Sequence, residues 1–193
     1  MFGWVGRRVV MGRHRPERGA WDAVCLHALV GDGAGGKMWK SKGNVVDPRE
    51  LIGRGGAGGL RFTRCALAVQ GRDIKLSTDR VQGYRNFATK LWNAARFAEL
   101  NGCHLDPAFD PRAATGAINR WAVTEAARAV DEVTAALEAF RFNDAAGAAY
   151  RFVWNIFCDW YLELAKPVLQ GEAVDPAVRA ETQATVAFLI DQV

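Results

Sequence analysis

The sequence predicts a mainly α-helical chain. From residue 80 onward, apolar side chains recur at three- and four-residue steps, the period of one helix face. Asp, Asn, Pro and Gly stand between these stretches, where helices start and stop. Only one short, mostly apolar run, Val-Cys-Leu-His-Ala-Leu-Val at 24–30, reads as a buried strand, ending at Gly31-Asp32-Gly33.

The elements follow in order. Asp47-Pro48 supplies an N-cap with Pro at the first helical position, so 49–52 begin a short helix. Five glycines between Gly53 and Gly59 predict a loose connection, since each Gly in a helix costs up to about 1 kcal/mol relative to Ala. Asp79 is placed to cap a long helix over 80–101, with Gly102 as its stop. Its apolar face is Val81, Tyr84, Phe87, Ala88, Leu91, Ala95 and Ala98, and Trp92 reads as packing. Pro107 and Pro111 mark a linker. A second helix over 117–139 shows the face Ile118, Trp121, Ala122, Ala126, Ala129, Val130, Val133 and Leu137. Asn143 or Asp144 caps a third, with Ala148, Ala149, Phe152, Val153, Ile156, Phe157 and Trp160 inward and Pro167 as its end. Pro176 opens a fourth, with Val178, Val186 and Leu189. These are antiparallel bundle periods, and their aromatics read as core.

Half of the 193 residues are apolar, enough for a real core in one or two domains. Charge divides unevenly: residues 1–100 hold 18 Lys and Arg against 8 Asp and Glu, and residues 101–193 hold 7 against 13. A basic half of this kind suits an anionic partner. Cys25, Cys65, Cys103 and Cys158 are too scattered for a metal site, so no structural metal is expected and the thiols read as reduced, cytoplasmic ones. No apolar run approaches the ~20 residues of a membrane span.

The most informative stretch is Lys37-Met38-Trp39-Lys40-Ser41-Lys42-Gly43-Asn44-Val45-Val46-Asp47-Pro48. Three ammonium groups crowd into six residues beside Gly35, Gly36 and Gly43. Cations on a glycine-flanked loop suit a polyphosphate whose negative charge grows during reaction; the bland alternative is a solvated basic loop.

That stretch differs at one position from the ATP-handling loop of the class I aminoacyl-tRNA synthetases. Gly71-Arg72-Asp73-Ile74-Lys75-Leu76, residues 80–97 from Arg80-Val81-Gln82-Gly83-Tyr84 to Ala95-Arg96-Phe97, and Asp159-Trp160-Tyr161-Leu162-Glu163-Leu164-Ala165-Lys166-Pro167 extend the likeness. Together they resemble the valyl-tRNA synthetase family, and residues 2–12 resemble a degraded copy of one of its strands. The resemblance implies the end of a Rossmann-type catalytic domain with the Lys-rich loop over 1–62. It implies a helical stem-contact region over 63–103, a linker over 104–116 and a truncated anticodon-binding helical bundle over 117–193. It also implies ATP with Mg²⁺, valine and tRNA(Val) as substrates, and a monomer. Lys40 would meet the β- and γ-phosphates as the catalytic cation with Lys37 in support. Met38, Trp39 and Ser41 complete the ATP-binding loop, and Arg80, Arg85, Lys90 and Arg96 contact tRNA.

The sequence also departs from that pattern. His14, His27 and His104 are its only histidines, and none lies in the family's His-Ile-Gly-His-type motif. The chain is therefore expected to be an internal piece, inactive alone. Trp39 stands where the family has Ser, which predicts impaired loop closure. The competing readings are a stand-alone RNA-binding helical module and a decayed helical protein without a ligand.

Overall fold

The computed structural model describes residues 2–13 and 29–193. Its helices are α1 (Phe2–Arg13), α2 (Pro48–Leu67), α3 (Thr78–Leu100), α4 (Ala117–Glu138), α5 (Phe142–Tyr150), α6 (Leu162–Gln170) and α7 (Pro176–Asp191). A π-helical segment, Arg151–Tyr161, joins α5 to α6 without interruption. Two short strands, β1 (Val30–Gly31) and β2 (Ile74–Lys75), pair in parallel with Val30 opposite Ile74. The mainly helical expectation holds.

The main core lies where α3, α4, the π-segment, α6 and α7 meet. Phe157, Tyr161, Ala165, Val186 and Leu189 are fully buried there, with Phe87, Ala94, Ala98, Ala122 and Ala126 around them. Small residues on α4 let its axis approach the aromatic π-segment closely. Rings extend this core toward α2. Phe62 stacks on Phe87 at 4.9 Å, Phe87 on Tyr150 at 5.0 Å, and Tyr150 on Trp154 at 5.5 Å. A second, smaller core of Leu51, Leu60, Leu76 and Val81 lies under the lysine-rich loop, with Val30, Met38 and Val46 against it.

Several local expectations change. Residues 2–12 form a helix, not a strand. A strand needs a neighbour to satisfy its backbone, whereas a helix bonds its own N–H and C=O groups. Of the apolar run over 24–30, only Leu29 and Val30 are described, and Leu29 is exposed; residues 24–28, with His14, Cys25 and His27, lie outside the described residues. Asp47 does cap α2, accepting from the Arg49 N–H at 2.8 Å, but α2 runs for 20 residues. Two of its five glycines are packing sites. An added Cβ on Gly55 would stand 2.6 Å from Val81 Cγ1, and one on Gly59 would stand 3.5 Å from the Arg85 backbone. The missing side chains therefore let α2 lie against α3, and the axis breaks once, at Gly56, whose φ of 75° suits glycine alone.

Ser77, not Asp79, caps α3, and Gly102 ends it at φ 71° as expected. Ala94 replaces Ala88 on the buried face, and Trp92 is 67% exposed rather than packed. Neither Asn143 nor Asp144 caps α5; Arg141 holds that position without a side-chain bond. The preceding turn closes through Phe140 at φ 56°, with the Arg141 N–H returning to the Ala136 carbonyl at 2.8 Å.

Pro167 does not stop its helix but sits inside α6. It forfeits one N–H donor near the end, and buried Leu169 with the Gly171 N–H bond to the Pro167 carbonyl holds the last turn. Trp121, Val130, Leu137, Trp160 and Val178, expected inward, are exposed. Pro176 opens α7 as expected, behind the Asp175 cap.

A polar network, buried at Asn119 and Tyr161 and open to solvent at Thr115, ties α7 to the start of α4. The Glu181 carboxylate accepts from the Thr115 and Gly116 N–H groups, the Thr115 hydroxyl and the Asn119 amide at 2.6–3.0 Å. Tyr161 donates to Asn119 Oδ1 at 2.9 Å. These bonds satisfy donors that a helix start leaves open. Among the described residues, no helix is long and apolar enough to cross a membrane.

Candidate functional site

The lysine-rich loop leaves β1 through a turn built on Asp32. Asp32 Oδ1 accepts from the Gly36 N–H at 2.7 Å and the Ala34 N–H at 3.1 Å, while Gly35 takes φ 89°. The chain then returns beside Gly31, which bridges to Lys37. At the far end, Asn44 Nδ2 donates to Asp32 Oδ2 at 2.7 Å and to the Lys37 carbonyl at 3.2 Å. Asn44 Oδ1 in turn accepts the Trp39 N–H at 2.9 Å. Asp32 and Asn44 thus clip the loop shut at its base. The Asn44 amide first, then the Gly36 N–H, hold the Asp32 carboxyl below its ordinary pKa.

Between the clip residues, side chains alternate. Trp39 is extended (φ −133°, ψ 134°), so Lys37 and Trp39 face one way and Met38 the other. Met38 enters the small core with Leu51, Leu60, Leu76 and Val81. On the outer side the Lys37 ammonium sits 4.3 Å from the Trp39 ring centroid, and the indole is 47% exposed. Lys40, Ser41 and Lys42 form one 3-10 turn closed by Gly43 at φ 67°. Lys37, Lys40, Ser41 and Lys42 are all exposed, and among the described residues no carboxylate pairs with these lysines.

The four basic residues of α3 have different surroundings. Arg80 lines a cleft of about 520 Å³ with Tyr84, Tyr150, Asn143 and Arg151, between α2, α3 and α5. Arg85 Nη1 donates to the Arg54 carbonyl at 2.9 Å, fixing α3 to α2. Lys90 pairs with Asp159 and lies 4.0 Å from the Trp154 ring centroid. Arg96 is exposed, one turn beyond exposed Trp92 on the same helix. The structure therefore keeps the loop lysines together and divides the α3 cations between internal bonding and open surface.

Sequence reasoning missed Asp32 and Asn44. Both lie within stretches it singled out, and Asx residues beside glycines are a turn signal. It also missed Glu181, whose partners lie more than 60 positions away.

A polyphosphate fits this loop better than a metal does. The cations are unpaired and solvent-facing, while Asp32, the carboxylate within the loop's base, is already satisfied by amide donors. Among the described residues no group of three or more His, Cys, Asp or Glu is placed to hold an ion.

The family model described as tRNA synthetases class I (I, L, M and V) matches residues 1–77, and the anticodon-binding domain of tRNA ligase matches residues 119–193. The chain belongs to the class I aminoacyl-tRNA synthetase family. Within it, the sequence is similar to valine–tRNA ligases: 58% identical to that of Nitrobacter winogradskyi and 59% to that of Rhodopseudomonas palustris, each over 193 residues. Both alignments take in all of this chain and 20% of the relative, so the chain spans about a fifth of their length. Among solved structures, it is similar in fold to a ternary LeuRS–tRNA–LeuAMS complex of Agrobacterium radiobacter, with a TM-score of 0.68 and 20% identity, covering 96% of this chain and 23% of that one.

Proposed function

We propose that this chain is the segment of a valine–tRNA ligase that carries the phosphate-handling loop and the helical tRNA-reading body. Residues 1–62 would complete the catalytic domain, 63–103 would contact the tRNA stem, 104–116 would link, and 117–193 would belong to the anticodon bundle. The supporting observation is the clipped loop: Asp32–Asn44 closes its base, Met38 roots it in a core, and the lysines face solvent without counter-charges.

In the reaction assigned to the whole enzyme, the valine carboxylate attacks the ATP α-phosphate. Pyrophosphate leaves, and the valyl group passes from the adenylate to a terminal ribose hydroxyl of tRNA(Val). Negative charge builds on the departing phosphates. Lys40 would meet the β- and γ-phosphates and Lys37 would support it, stabilising that charge from a pre-built loop. Ser41 would complete the loop's polar rim. Arg80 and Arg96, open to solvent, would contact the RNA backbone. Arg85 and Lys90 would position α2 and the π-segment beneath it.

This chain alone would not activate valine. Valine-dependent exchange of pyrophosphate into ATP tests the proposal. The chain by itself should be silent, and the upstream portion of a related valine–tRNA ligase supplied in trans should restore exchange. Lys40→Ala should then lower the restored rate by about 100-fold or more. Restored exchange that ignores Lys40→Ala would remove the role given to the loop.

A further inference from the structure

Trp39 is where this chain departs from its own loop pattern, and the structure gives its indole a definite setting. Extended backbone at position 39 turns the ring outward while Met38 turns inward. The ring is 47% exposed, with the Lys37 ammonium 4.3 Å from its centroid and the Trp39 N–H fixed by Asn44 at 2.9 Å. Lys40 and Lys42 follow directly, exposed and without carboxylate partners among the described residues. An aromatic face held by a fixed backbone beside unpaired cations is the arrangement that binds nucleotides without reading base edges: the base stacks and the cations take the phosphates.

We propose that Trp39 makes this loop a nucleoside-triphosphate site in its own right, the base stacking on the indole while Lys40 and Lys42 hold the phosphates. The inference rests on reading the loop as phosphate-handling and adds the base contact. Its consequence is base tolerance. Every base offers a π face, so ATP and GTP bind alike. Lys37, already over the ring, makes the indole a fixed platform rather than a swinging one.

The test uses the chain labelled with fluorotryptophan and followed by fluorine NMR, the Trp39 signal being the one absent from Trp39→Ser. ATP, GTP, tripolyphosphate and adenosine are titrated in turn, with affinities read by isothermal titration calorimetry in the parent and in every variant. The inference expects ATP and GTP to move the Trp39 signal and to bind about ten-fold tighter than tripolyphosphate, the advantage disappearing in Trp39→Ser. Trp39→Tyr, which keeps a ring, should retain most of it. If ATP and tripolyphosphate bind equally, and both are lost in the Lys40→Ala, Lys42→Ala double variant, the base contact is overturned while the phosphate reading stands. If no phosphate compound binds, both are overturned.

Discussion

Arg85 on α3 donates to the carbonyl oxygen of Arg54 at 2.9 Å, just before α2 breaks at Gly56. The half of α2 that carries the loop is therefore held to the helical body by a side chain as well as by packing. Arg85→Ala should cost about 1 kcal/mol, the net worth of one such bond. Hydrogen exchange should rise over 48–55 more than over 57–67. Equal change in both halves would show that Arg85 does not hold the break.

Two classes of glycine in α2 should respond in opposite directions. Gly53 and Gly58 have open space where a Cβ would point, so Ala there should stabilise by up to about 1 kcal/mol. Gly55 faces Val81 Cγ1 at 2.6 Å, so Gly55→Ala should destabilise by about 1–3 kcal/mol despite Ala's helix preference. Adding Val81→Ala to Gly55→Ala should recover part of that loss. Denaturant unfolding of the four variants decides it, and a stabilising Gly55→Ala would refute the close crossing.

Glu181 links stability to pH. Partial burial pushes its carboxyl up, but the donors from Asn119, Thr115 and Gly116 outweigh this and bring it from 4.5 to about 2. A depressed folded pKa contributes stability above the unfolded value and loses it as pH falls toward the folded one. The advantage of the parent over Glu181→Gln, on the order of 1 kcal/mol near neutrality after solvent screening, should shrink below pH 4.5 and be gone near pH 2. Denaturation midpoints measured across that range check it. A constant difference would mean that the ionised carboxylate is not what the α4 start binds.

Trp39 should affect the two kinetic constants differently in a chain that also carries the upstream portion of its relatives. A stacked base strengthens ground-state binding, while a bulky indole hinders the closure that serves the transition state. Trp39→Ser should raise kcat for valine activation and raise KM for ATP. Unchanged kcat would mean that the indole does not obstruct closure.

Much of the helical plan was legible because its signals are local. Asp47-Pro48, Gly102 and Pro176 marked ends through backbone geometry alone, and the structure places helix boundaries at each. Faces were less legible. A 3.6-residue period places Trp160 inward, but the chain over 151–161 is wound as a π-helix. There the Leu162 N–H reaches back five positions to Phe157, and each such step shifts the register. The glycines of α2 read as weakness because a sequence shows their entropy cost and not Val81 waiting opposite. In the loop, the lysines were visible as charge. The Asp32–Asn44 clip was not, because it depends on which two of many polar residues meet.

As part of a valine–tRNA ligase, the helical body would read tRNA. The most direct test is the affinity of this chain for a valine tRNA, and for the same tRNA with its anticodon replaced, over a range of salt concentrations. Binding that weakens steeply with salt, and falls at least about ten-fold on anticodon replacement, is the predicted result. Equal affinity for both RNAs would instead identify a general RNA-binding module. No binding at either salt extreme would rule out tRNA reading by this body.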